Sequence, residues 1–193
     1  GLRAAGVIVL AGIAGSQLFN ALTAFLIAKS ANAEQARGIM FWLLGNLSGV
    51  RWPDVVAVVL AAIFGLLACL FNTRSLDAFT FGADSAASLG IAVRKVQLGL
   101  IGIAALVTAV IVSTVGSIGF VGLVIPHAMR FIVGNRHGVL VPASAIAGAV
   151  FLIFADVISR VIIPGQVLPI GVVTALVGAP VFAIILIGGR TTQ

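Results

Sequence analysis

The residues able to do chemistry in this chain are few and scattered. Two histidines, His127 and His137, stand ten apart, the single cysteine Cys69 lies in an apolar run, and Asp156 and Arg160 stand four apart. His127 follows Pro126 and precedes Arg130. It is expected to be a hydrogen-bonded structural histidine near a helix end, with a ligand or proton relay as the alternative. His137 falls in a short polar stretch and is expected to be solvated. An acid and a base at i and i+4 share a helix face, so Asp156 and Arg160 should form a structural ion pair near one membrane end, with a substrate contact as the alternative. Cys69 is expected to be a small buried hydrophobe. No carboxylate pair, histidine–glutamate metal motif or serine or cysteine beside a histidine occurs, so the sequence offers no catalytic set and no metal site. Nor does it contain a glycine-rich loop ending in Gly-Lys-Ser or Gly-Lys-Thr. If ATP drives a process here, the ATP and Mg belong to an ATPase on another chain, and this one is expected to bind no cofactor.

The elements that hold these residues must sit in lipid. Of 193 residues, 61% are hydrophobic and 8% charged, against roughly 25% charged in soluble domains. Eleven bases and five acids cannot cover a body of this size, which excludes a soluble enzyme and a disordered chain. The +6 net charge comes from bases scattered singly apart from Arg94 and Lys95. No basic face emerges, and nucleic acid is not an expected partner. The fold class expected is an all-α, multi-pass membrane bundle.

A spanning helix needs roughly 20 apolar residues, and Ala4–Ala28, Asp54–Phe71, Val96–Ile118, Val141–Arg160 and Pro169–Gly188 supply five. Gly119–Val133 is shorter and holds Pro126, but the chain must return between its neighbours, giving six crossings. Gly38–Val50, flanked by Arg37 and Arg51, is expected at an interface, a depth that suits Trp42 and Trp52. There the small residues Gly45, Asn46 and Ser48 read as lining the mouth of a translocation path. With six crossings both ends share one side. That side holds Arg3, Arg74, Arg94, Lys95, Arg130, Arg136 and Arg190 against Asp77 and Asp84; the other holds four bases against three acids. The bias places both termini in the cytoplasm.

The connection Asn72–Lys95 is the longest polar stretch. Within it Asp84 to Ala92 reads as a short helix capped by Asp84, with Ala86, Leu89 and Val93 on the face offered to a partner; a solvated linker is the alternative. Gly90 there permits close backbone approach or an unusual dihedral. Gly116, Gly119 and Gly122 recur at every third position and lead into Pro126, which predicts an exposed backbone ridge and a break; Gly171, Ala175 and Gly178 lead into Pro180 in the same way. Ser144 with Gly148 adds a small-xxx-small pair. Such ridges mean close helix packing or, less often, a pore wall or moving joint.

The stretch Gly116-Ser-Ile-Gly-Phe-Val-Gly-Leu-Val-Ile-Pro-His-Ala-Met-Arg130 resembles the FecCD-type permeases, membrane subunits of bacterial ATP-driven importers for iron-siderophores, haem and cobalamin. The similarity continues through Leu140, Pro142, Gly148, Asp156 and Arg160 to Leu168-Pro169-Ile170-Gly171, Gly178, Pro180 and Phe182. Upstream it includes Trp42 to Gly45, Trp52, and Gly82, Ala86, Leu89 and Gly90; it covers about Arg3 to Arg190. The resemblance implies a ten-helix permease of two inverted repeats, of which this chain corresponds to roughly the last six helices, with an amino-terminal part missing. It implies further that Gly82, Asp84, Ala86, Leu89 and Gly90 belong to coupling helices seated in an ATP-binding subunit dimer. A second permease subunit, identical or not, and an extracytoplasmic substrate-binding protein complete the implied assembly in the bacterial cytoplasmic membrane. Two positions depart from the pattern: Ala83 then Asp84 where a pair of acids is common, and Val167 where a glutamate usually precedes Leu-Pro. The reading reached is an importer permease working by alternating access, with iron-siderophore as the expected cargo. An ion-gradient-driven transporter or channel and a structural scaffold are the rivals.

Overall fold

In lipid every backbone polar group must find its partner inside the protein, so long apolar segments form helices. The computed structural model describes residues 2–30 and 32–188, and these hold nine helices and no strand. They are α1 (Leu2–Ser30), α2 (Ala33–Leu43), α3 (Trp52–Phe71), α4 (Thr73–Phe79), α5 (Ala83–Ser88), α6 (Val93–Val115), α7 (Val121–Val133), α8 (His137–Val161) and α9 (Ile170–Gly188). Leu10–Lys29 of α1 and the whole of α3, α6 and α8 are long and apolar enough to cross a membrane, while α7 and Ile170–Ile185 of α9 are shorter apolar helices. The chain is a multi-pass, all-helical membrane protein. Of the bases counted for orientation, Arg190 lies outside the described residues, and Arg3 is described as backbone alone.

The helices group into two compact units, residues 1–43 and 44–193. In the first, α2 starts from a reciprocal capping box. The Gln35 amide donates to Asn32 Oδ1 (2.8 Å) and the Asn32 amide to Gln35 Oε1 (3.2 Å), satisfying backbone donors that a helix start leaves free. The segment expected to lie at an interface is thus helical as far as Leu43 and non-helical beyond it.

In the second unit, the Asp54 carboxylate accepts the Arg51 amide (3.0 Å) and fixes the entry to α3. Helices α3 and α6 approach where Gly65 faces Val107, whose Cγ2 lies 3.1 Å from where a Cβ on Gly65 would be. Ala155, Ile170 and Val173 form a buried core with Leu47, Ile118 and Leu152 packed around it. Two buried polar residues are satisfied locally, Ser159 Oγ donating to Asp156 O (2.7 Å) and Thr174 Oγ1 to Gly171 O (3.1 Å), whereas the Ser144 hydroxyl is buried without a partner among the described residues. The outside is apolar, with Leu60, Ile146, Ile153 and Phe154 all exposed, as lipid rather than water requires.

Helix α7 differs from the expectation in an instructive way. Its 13 residues rise about 20 Å, short of the ~30 Å hydrocarbon core. The interruption precedes the helix instead of falling at Pro126, which lies inside α7. Gly116 (φ 75°) ends α6 and Phe120 (φ 67°) starts α7, so Gly116 and Gly119 lie in a non-helical connection and form no ridge with Gly122. Pro126 removes one backbone donor and is accommodated within α7, whereas the positive dihedrals at Gly116 and Phe120 bound the non-helical connection between α6 and α7.

Candidate functional site

Two clusters built around turns stand at opposite ends of α3 and α6 in the second unit. The first lies between α3 and α6. Gly82 (φ 98°) begins α5 and Gly90 (φ 81°) ends it. Beyond Leu89 the Gly90 amide donates to Ala87 O (2.9 Å) and the Ile91 amide to Ala86 O (3.2 Å). This pair of bonds is a Schellman motif, whose left-handed position strongly favours glycine. Asp84 sits in the first turn of α5, but Gly82 holds the capping position and no side chain caps it. The expected shared face also divides: Ala86 is 0% exposed and packs inward, while Leu89 is 72% exposed. Phe81, at the other end of α5, is 80% exposed and pairs with Leu89 as the outward apolar feature of this turn. Phe81 escaped the sequence reading because it precedes the helix and matches no periodicity.

Helix α4 ties this turn to the bundle. The His137 backbone amide, first in α8, donates to Asp77 Oδ1 (2.8 Å), and His137 Nδ1 lies 2.7 Å from the same oxygen. An ionised carboxylate only accepts, so Nδ1 carries the hydrogen. Asp77 therefore caps α8 from sixty residues away, at the end where a helix favours negative charge. His137 is thus a half-buried clamp residue, not the solvated loop residue expected. The two bonds from His137 hold the Asp77 carboxyl below the usual carboxylate range. The clamp is accordingly complete at neutral pH and is withdrawn as pH falls below about 4 and through that lowered value. Asp77→Ala and His137→Ala should each make residues 72–92 several-fold more susceptible to a soluble protease, without changing membrane insertion. Equal cleavage rates in wild type and both variants would show that the clamp does not order the loop.

The second cluster joins three chain segments. The Asn46 amide donates to Val115 O (2.8 Å) and the Ile170 amide to Gly45 O (2.9 Å), so the loop following Leu44 satisfies the end of α6 and the start of α9. Pro169 is buried at that start. Gly45 is buried against Ser117 and Ile118, the Asn46 side chain accepts the Ser48 amide (2.8 Å), and Ser48 is exposed. A Cβ on Gly171 would collide with Leu44 O, and one on Gly178 would fall 2.5 Å from Phe120 Cβ. These two glycines are close-packing positions. Gly148 makes ordinary contact with Val121.

Of the remaining candidates, His127 meets the Phe131 ring edge-on at 5.8 Å between centroids, a ring contact where a hydrogen bond had been expected. Arg160 Nε and a second guanidinium nitrogen reach the two oxygens of Asp156 at 2.8 and 3.2 Å. Both residues keep contact with solvent, and exposed pairs of this spacing contribute little. Arg160→Gln should leave the thermal unfolding midpoint unchanged within error, whereas a large drop would mark a buried partner.

A family model for the FecCD transport family matches residues 3–188. The chain belongs to this family. Among curated FecCD relatives, the cobalamin import system permease protein BtuC of Halobacterium salinarum is 40% identical over 179 residues, 93% of this chain and 47% of that protein. The Fe(3+) dicitrate transport system permease protein FecD of Escherichia coli is 37% identical over 184 residues, covering 95% and 57% respectively. A solved structure described as an inward-facing conformation of a metal-chelate type ABC transporter superposes with TM-score 0.86 at 30% identity, covering 93% of this chain and 58% of that one. The chain spans about half the length of the curated FecCD relatives it matches. The substituted position, Val167, lies exposed in the connection before α9.

Proposed function

We propose that this chain is part of the transmembrane permease subunit of an ATP-driven importer that moves a large metal chelate by alternating access. It is a transporter component and not an enzyme: a separate ATP-binding subunit dimer hydrolyses MgATP, an extracytoplasmic binding protein delivers the cargo, and a second permease subunit completes the path. The observation that carries the reading is the α5 turn, bounded by two left-handed glycines and leaving Phe81, just before it, and Leu89, at its end, exposed in a FecCD family chain.

Gly82, Asp84, Ala86, Leu89 and Gly90 then form the coupling element, with Ala86 as its inward anchor. A displacement of α5 by the closing ATPase passes through α4 and the Asp77–His137 clamp to the start of α8. In this reading the turn and both chain ends face the cytoplasm, which fits the excess of bases on that side, and Gly45, Asn46 and Ser48 belong to the outer mouth. Iron-siderophore is the expected cargo; cobalamin and haem are tested beside it, since the relatives named above include permeases for cobalamin and for ferric dicitrate.

The test is uptake of labelled ferric siderophore, haem and cobalamin into vesicles holding the full-length parent chain, its ATPase and its binding protein. Accumulation of one ligand that requires MgATP and survives an ionophore is expected. Uptake that persists without ATP and collapses with the ion gradient would replace this reading with a gradient-driven transporter.

A further inference from the structure

A pocket of about 420 Å³ opens where α4, the end of α7 and the start of α8 meet, lined by Leu76, Phe79, Thr80, Arg130, Asn135 and His137. Its chemistry is one-sided. The lining contains no carboxylate, and Arg130 is paired with no acid among the described residues. The nearby carboxylate, Asp77, is already engaged by His137, and the Thr80 hydroxyl hydrogen is spent on Asp77 O (2.6 Å). What remains unspent in the lining is the Arg130 guanidinium and the Asn135 amide, a donor set suited to a phosphate.

The pocket is also half apolar, through Leu76 and Phe79, and it stands at the end of a membrane helix. Leu123, seven residues before Arg130 and so on the same side of α7, is 59% exposed. The face that carries Arg130 therefore runs from apolar surface into a basic opening at the membrane boundary. A free phosphate would use only the basic half, whereas a phospholipid would use both.

We infer that this pocket is a binding site for the phosphate headgroup of an anionic phospholipid, held by Arg130 and Asn135 with the glycerol end against Leu76 and Phe79. This goes beyond the transport reading and is measured without it. Full-length parent chain is reconstituted in bilayers of equal phosphatidylcholine and phosphatidylglycerol, re-extracted in mild detergent, and its retained lipid is weighed by native mass spectrometry. Wild type should retain phosphatidylglycerol preferentially. Arg130→Gln and Asn135→Ala should each lower that retention, the first by about fivefold, while Arg130→Lys keeps most of it and Arg136→Gln changes it little. Gel filtration reports folding of each variant, and if Arg130→Gln misfolds, Asn135→Ala carries the test. Unchanged retention in a folded Arg130→Gln or Asn135→Ala variant would overturn the proposal. So would equal retention of phosphatidylcholine, or displacement of the lipid by millimolar inorganic phosphate, which would mark a site for a free anion.

Discussion

Gly171→Ala should leave the second unit destabilised by about 3 kcal/mol, the upper part of the range for overpacking a core. Two effects oppose each other. Alanine gains about 1 kcal/mol over glycine in a helix interior, and less at Gly171, which stands in the first turn of α9. The added methyl, however, would run into Leu44 O and approach Ser117 O to 3.2 Å. Both obstacles are backbone atoms, and the loop after Leu44 is fixed by its bonds to Val115 and Ile170, so neither withdraws cheaply. Gly178→Ala meets the Cβ and ring of Phe120, a residue already held at φ 67°, so the side chain has little room to withdraw. Gly99→Ala and Gly102→Ala on α6, with nothing within 4 Å of the new methyl, should be neutral or slightly stabilising. The readout is the unfolding midpoint of purified protein in detergent. Wild-type stability in Gly171→Ala would mean that the three-segment cluster is looser than described.

Gly90→Trp should lower ATP-driven uptake on the order of thirtyfold, the factor carried by an interface hot spot of about 2 kcal/mol. A side chain at Gly90 points into open space, with nothing within 4 Å. The indole therefore disturbs what docks on the turn and not the turn's own packing. The left-handed dihedral costs any L-residue roughly 1–2 kcal/mol, so Gly90→Ala is the companion: it carries the same backbone cost without the bulk and should keep most uptake. Full uptake by Gly90→Trp would remove the α5 turn from the coupling role, while equal loss in both variants would assign the effect to backbone strain.

Much of this arrangement was legible in the sequence, for physical reasons that also fix where legibility ended. Apolar length finds helices because lipid permits little else, and the six segments expected to cross are helical with only small shifts at their ends, but among the described residues four of them, not six, are long and apolar enough to cross. The packing role of Gly171 and Gly178 followed from small-residue spacing, but the break expected at Pro180 is absent: Pro180 lies inside α9. The same spacing misled at Gly116, Gly119 and Gly122, because a one-dimensional pattern does not reveal that φ turns positive at Gly116 and again at Phe120, where a phenylalanine is no sequence signal for a left-handed residue. The Asp77–His137 clamp was hidden by sixty residues of separation. The division between inward Ala86 and outward Leu89 depended on a helix ending at Ser88 instead of running to Ala92.

The coupling claim is tested most directly by photocrosslinking from defined positions in the assembled, full-length complex. A photoreactive amino acid replaces Leu89 (72% exposed on the α5 turn) or Phe81 (80% exposed), with Ile153 (64% exposed on the apolar side of α8) as the control. The account predicts covalent capture of the ATP-binding subunit from positions 81 and 89 and none from 153. An assembly that transports on ATP yet gives no ATPase adduct from 81 or 89 would contradict it.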